Sequence, residues 1–132
     1  MMELIDTHQH LIYRNEATYS WANDIPALSK SDFTVKDYQN LTKDFNIIGT
    51  LFMECAVDDA DYKNESNFIN SLMQNSDNGI KGLILSIRPE NNNDFDQWLE
   101  KSKSLGVVGY RRVLHVMPDE LSQNDNFKNN IK

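Results

Sequence analysis

Three short, nearly continuous apolar runs, each set off by a segment of helical periodicity, constrain the fold of this chain more than any other feature. The runs are Ile47 to Ala56, Ile80 to Ile87 and Val107 to His115, and all are rich in β-branched residues. Such runs read as parallel strands covered on both faces, because strands with one wet face alternate instead. Leu4-Ile5 opens a fourth, shorter run at the amino end. Between the runs lie three amphipathic segments. Thr34, with Asp37 three residues on, predicts a capped helix with Val35, Tyr38, Leu41, Thr42 and Phe45 inward, ending near Asn46. A second begins at Asp58-Asp59, whose charges suit a helix N-terminus, and turns Tyr62, Phe68, Ile69 and Leu72 inward. A third packs through Phe95, Trp98 and Leu99 and closes at Gly106; after Pro118, residues 119–132 start a fourth.

Strands alternating with helices mean right-handed βαβ units and a parallel sheet. Four units do not close an eight-stranded barrel, which takes about 250 residues. The expected class is therefore α/β: a small open sheet, or the first four βα units of a (β/α)8 TIM barrel.

Composition excludes several functions. A net charge of −7 with no basic cluster beyond Arg111-Arg112 argues against a nucleic-acid partner. A single cysteine, Cys55, excludes an internal disulfide and reads as a small core residue. No apolar window is long enough to span a membrane, and the amino end has no signal-peptide pattern. A cytoplasmic location is the expectation.

Parallel α/β folds gather their chemistry at the carboxyl ends of strands. That rule selects His8 and His10 on the first strand and Glu54 on the second. It adds Arg88 and Ser86 on the third, and Arg111, Arg112 and His115 on the fourth. In a strand, residues i and i+2 leave the same face, so His8 and His10 point together, able to share a metal or grip one substrate. Glu54 is a carboxylate in an apolar run, which needs a partner: a salt bridge with Arg111 or Arg88, or a place in a site. Arg111 and Arg112 face opposite sides, so at most one reaches a barrel interior. The long stretch 13–33 carries Tyr19 and Trp21, suited equally to lining a site and to covering a core edge.

These residues carry a family resemblance. Ile5-Asp6-Thr7-His8-Gln9-His10-Leu11 resembles the start of the amidohydrolase superfamily, whose barrels begin with His-x-His at the end of strand one. Tyr19-Ser20-Trp21, Asp32-Phe33-Thr34-Val35-Lys36-Asp37 and Val108 to His115 narrow the resemblance to the amidohydrolase-related lactonases, of the fuconolactonase and 2-pyrone-4,6-dicarboxylate lactonase kind. It runs in order over nearly the whole chain. It implies a single partial domain, 1–132, forming the N-terminal half of such a barrel, and a hydrolase that opens a sugar or dicarboxylate lactone when full-length. His8, His10 and Arg111 would be catalytic, with Trp21, Glu54, Arg88 and His115 binding a small-molecule substrate. His8 and His10 would also hold a divalent metal, zinc, if one is used; relatives differ on this. The water-activating acid of the last barrel strand is expected beyond residue 132, so these residues alone are expected to be nearly inactive.

Two other readings compete. One is a zinc-dependent decarboxylase on the same barrel. The other is a non-catalytic α/β module, alone or as a homo-oligomer that pairs its open sheet edges.

Overall fold

The computed structural model describes residues 1–132. Four strands form one parallel sheet in the order β1-β2-β3-β4: β1 Leu4–Gln9, β2 Ile47–Met53, β3 Ile80–Ser86 and β4 Val107–Arg111. Three helices make the crossovers: α1 Val35–Leu41, α2 Tyr62–Met73 and α3 Phe95–Ser102. Two short helices follow, α4 Glu120–Gln123 and α5 Asp125–Asn130. The parallel βα alternation is the one the apolar runs predict. No helix is long and apolar enough to cross a membrane.

Local chemistry sets the helix ends. The Thr34 hydroxyl accepts from the Asp37 amide and the Asp37 carboxylate accepts from the Thr34 amide, a reciprocal capping box. These hydrogen bonds from Thr34 hold the Asp37 carboxyl below its usual range. Helix α1 ends at Leu41, earlier than the periodicity predicts. The Thr42 hydroxyl donates back to the Tyr38 carbonyl, and Leu41 and Phe45, expected inward, are 71% and 61% exposed. Helix α2 also starts late, at Tyr62, because the two aspartates are spent elsewhere: Asp58 accepts from the Ser20 hydroxyl and Asp59 pairs with Arg88. Gly106 follows α3 after one tight turn, at φ 74°, a left-handed conformation that suits glycine.

The core lies on one face of the sheet. Phe52, Leu83 and Leu85 are fully inaccessible and belong to one cluster with Ile69 of α2 and Trp98 of α3. Covering on both faces, as the apolar runs suggested, is not found. Ile5, Ile48 and Val108 are 58%, 46% and 59% exposed. A Cβ added at Gly82 would strike both Leu51 and Val108, so these positions share the uncovered face. In a closed barrel the corresponding face is the packed interior.

The stretch 13–33 is ordered rather than featureless. An antiparallel bridge between Ile12 and Phe33 closes its base, and a 3-10 turn runs from Ser20 to Asp24. Its anchor is a chain of hydroxyls: the Tyr13 amide donates to the Tyr19 phenol oxygen, and the Val35 amide donates to that of Tyr13. Burial pushes the Tyr19 phenol far above its ordinary pKa, so it stays neutral.

Candidate active site at the carboxyl ends of the strands

At the end of β1 the backbone irregularity between Asp6 and Gln9 brings His8 and His10 together. Their Nε2 atoms are 3.1 Å apart and the rings meet edge to face. Asp6 fixes the approach: one oxygen accepts from the His8 amide, the other from the Tyr38 phenol of α1. His10 Nδ1 lies 3.0 Å from the Met53 carbonyl. A carbonyl only accepts, so Nδ1 carries the hydrogen and the Nε2 lone pair is free. Burial, opposed in part by that hydrogen bond, lowers the His10 pKa and keeps the ring neutral near pH 7.

The turn after β2 is the hub of the site. The Met53 carbonyl holds His10, and the Cys55 carbonyl accepts from the Trp21 indole at 2.8 Å. Its donors are held in turn: Ala56 N–H by a Glu54 carboxylate oxygen at 2.8 Å, Cys55 N–H by Glu65 at 3.1 Å. Ala56 has φ 49°, a left-handed conformation unusual for a residue with a Cβ, and the two carboxyl groups stabilise it. Glu65, on the inward face of α2, is 3% exposed. Burial first, and the nearby Glu54 charge second, push its pKa up to about 8, so it is mainly protonated at neutral pH. The Cys55 thiol is pushed up as well by its burial; it donates to the Leu11 carbonyl and is a core residue, as its apolar setting predicts.

Glu54 is 1% exposed and forms a salt bridge with Arg111, one of the two arginines the sequence left open as its partner. Arg111 Nε donates to the carboxylate and Nη2 donates to the Glu54 carbonyl at 2.7 Å. Nη1 is thereby left for the cleft. Arg112 departs to the other side and pairs with Glu90.

One cleft of about 680 Å³ joins these groups. All three histidines of the chain border it, with Trp21 and Arg111. Two of the residues proposed from sequence as substrate ligands stand differently. Glu54 lies behind Arg111 and does not line the cleft; its burial makes it a positioning group. Arg88 lies outside it, with its guanidinium over the Tyr62 ring and bonds to Asp59 and Ser86. His115 does border the cleft, but on an exposed turn, since β4 ends at Arg111 rather than reaching residue 115. The aromatic pair divides: Tyr19 is core, while Trp21 is 44% exposed and faces the cleft. Sequence reasoning missed Glu65 and Asp6. The signal for Glu65 was an acid within the apolar stripe of α2; for Asp6, its spacing of two from His8.

A divalent metal fits this site in part. Two Nε2 atoms 3.1 Å apart suit neighbouring ligands on an ion bound at about 2.0–2.1 Å from each nitrogen. The Met53 carbonyl supplies the outer hydrogen bond that metal-ligating histidines use. No third His, Cys, Asp or Glu joins them to make a ligand group of three.

The fold and the site together define the first four βα units of a barrel with its polar groups at the strand ends. Comparison with solved structures agrees. Amidohydrolase 2 from Bifidobacterium longum subsp. infantis superposes with a TM-score of 0.67 at 21% identity, over 98% of this chain and 46% of that one. A protein from Acinetobacter baumannii described as a 2-pyrone-4,6-dicarboxylic acid hydrolase, solved with citric acid bound, gives 0.66 at 18% identity, over 98% and 44%. The chain thus has the fold of about half of a parallel βα barrel and spans under half the length of these neighbours. No family model and no curated protein matches the sequence.

Proposed function

We propose that this chain supplies the carbonyl-binding half of a lactone hydrolase. The observation that carries the reading is the convergence of the His8–His10 pair and the free Nη1 of Arg111 on one cleft at the carboxyl ends of β1 and β4. With Nδ1 of His10 hydrogen-bonded to Met53, a hydrogen on His8 Nε2 would satisfy the histidine pair. A substrate carbonyl could take that hydrogen and a second from Arg111. Both bonds strengthen as the carbonyl oxygen gains charge, which favours the tetrahedral state over the ground state. Water adds to the carbonyl carbon, the acyl–oxygen bond of the ring breaks, and the proton lost by water ends on the departing ring oxygen. The resemblance assigns that proton transfer to a carboxylate outside residues 1–132. A divalent metal held by His8 and His10 would supply Lewis-acid polarisation of the same carbonyl.

The test is a lactone panel followed by acid release, with the protein as expressed from its own gene. Turnover that falls by about a hundredfold or more in Arg111→Ala and His10→Ala supports the reading. Stoichiometric zinc with decarboxylation of an aromatic acid, and no lactone opening, overturns it in favour of the decarboxylase.

A further inference from the structure

The polar residues of the cleft are Asp6, Gln9, the three histidines and Arg111. Ten of its sixteen lining residues are hydrophobic, and Leu28, Phe33, Leu41, Val113 and Val116 form much of the remaining wall with Trp21. Leu41 and Val116 are each 71% exposed and Trp21 is 44% exposed, so large apolar side chains are held against solvent at this site. Exposed apolar residues gathered around a cleft mark a binding surface for an apolar group.

The charges tell the same story. A sugar lactone asks for many hydrogen-bonding partners, and a dicarboxylate lactone for unpaired cations. Arg111 is the only lysine or arginine bordering the cleft, and Glu54 already neutralises it. Asp6 adds a carboxylate to the lining. What remains is hydrogen-bond donation without surplus positive charge, suited to one neutral carbonyl.

We infer that the site takes a neutral lactone bearing an alkyl or aryl body, with the carbonyl at His8 and Arg111 and the body against the Trp21, Phe33 and Leu41 wall. This rests on the lactonase reading and narrows it, away from sugar and dicarboxylate lactones.

The experiment titrates δ-decalactone, dihydrocoumarin, glucono-1,5-lactone and 2-pyrone-4,6-dicarboxylate into the 132-residue chain by calorimetry, with Trp21 fluorescence as a second readout. The apolar pair is expected to bind at least about tenfold tighter than the polar pair. Leu41→Asp and Val116→Asp, at positions exposed enough to leave folding intact, should erase most of that preference. Equal or tighter binding of glucono-1,5-lactone or the dicarboxylate overturns the inference, as does preference unchanged in both wall variants. Decan-1-ol separates the two layers of argument. If it binds as tightly as δ-decalactone, the apolar wall stands and the lactonase reading falls. If it binds about tenfold more weakly, both stand.

Discussion

Phe52 and Glu54 are neighbours at the end of β2, two residues apart and 0% and 1% exposed, yet opposite forces bury them. Phe52 lies in the core cluster that α2 and α3 cover, where removal from water itself stabilises the fold. Glu54 is at the strand's carboxyl end, where burial is unfavourable and is offset by Arg111 and the Ala56 amide. The helix-covered face is therefore where this chain holds its stability. The carboxyl-end rim is where buried polar groups are tolerated for the geometry they impose on His10, Trp21 and Arg111.

The sharpest way to break that contrast is to exchange the effects. Phe52→Ala should lower unfolding free energy by about 3–5 kcal/mol in urea titrations, while any folded fraction keeps its ligand preference. A loss below about 1 kcal/mol would mean the covered face is not the core.

Next in size is a pH effect confined to the rim. Glu65 has a folded pKa of about 8 against an ordinary value of 4.5, so the folded state binds its proton more tightly. The associated stability is fully present below pH 4.5 and is lost as pH rises through about 8. The size is a few kcal/mol, on the order of 1.4 per pKa unit. His10 works with the opposite sign: its lowered pKa adds stability above 6.5 that is lost as pH falls through the folded value. Urea midpoints at pH 5 to 9 should show the alkaline decline, and Glu65→Gln should flatten it. A slope unchanged in the variant would place the titration elsewhere.

Glu54→Gln keeps the shape and removes the charge facing Arg111. Because Arg111 is partly hydrated, the expected loss is smaller, about 1–2 kcal/mol, whereas lactone affinity should fall by about tenfold as Arg111 and the turn relax. Stability lost without an affinity change would make the pair structural only. Smallest is His8→Ala: an exposed side chain whose loss should change stability by no more than about 0.5 kcal/mol, with lactone binding abolished in the same titration.

The sequence made some of this legible and hid the rest, for physical reasons. Strand order followed from apolar period, and the Thr34–Asp37 capping box from spacing alone, because both are local. The His8–His10 pairing was visible because an i, i+2 relation survives even a strand that ends at Gln9. Glu54 with Arg111 was foreseeable as a buried acid that needs a partner 57 residues away, although which arginine it would choose was open. Helix α1 was drawn too long because Leu41 and Phe45 keep helical spacing while facing solvent. Arg88 was placed in the site by its position after β3, but Asp59, itself misread as a helix-start charge, captures it. The hub at Met53 and Cys55 was invisible, since its working atoms are backbone carbonyls that any residue possesses.

The central claim is that His8, His10 and Arg111 form one carbonyl-binding site at the strand ends. Long-range proton–nitrogen NMR of the histidine rings, with and without δ-decalactone, tests it most directly. The account predicts a neutral His10 protonated at Nδ1, with the His8 and His10 ring nitrogens shifting on lactone addition and the Arg111 guanidinium shifting beside them. A His10 protonated at Nε2, or lactone-induced shifts confined to Arg88 and Arg112 while both rings stay still, would contradict it.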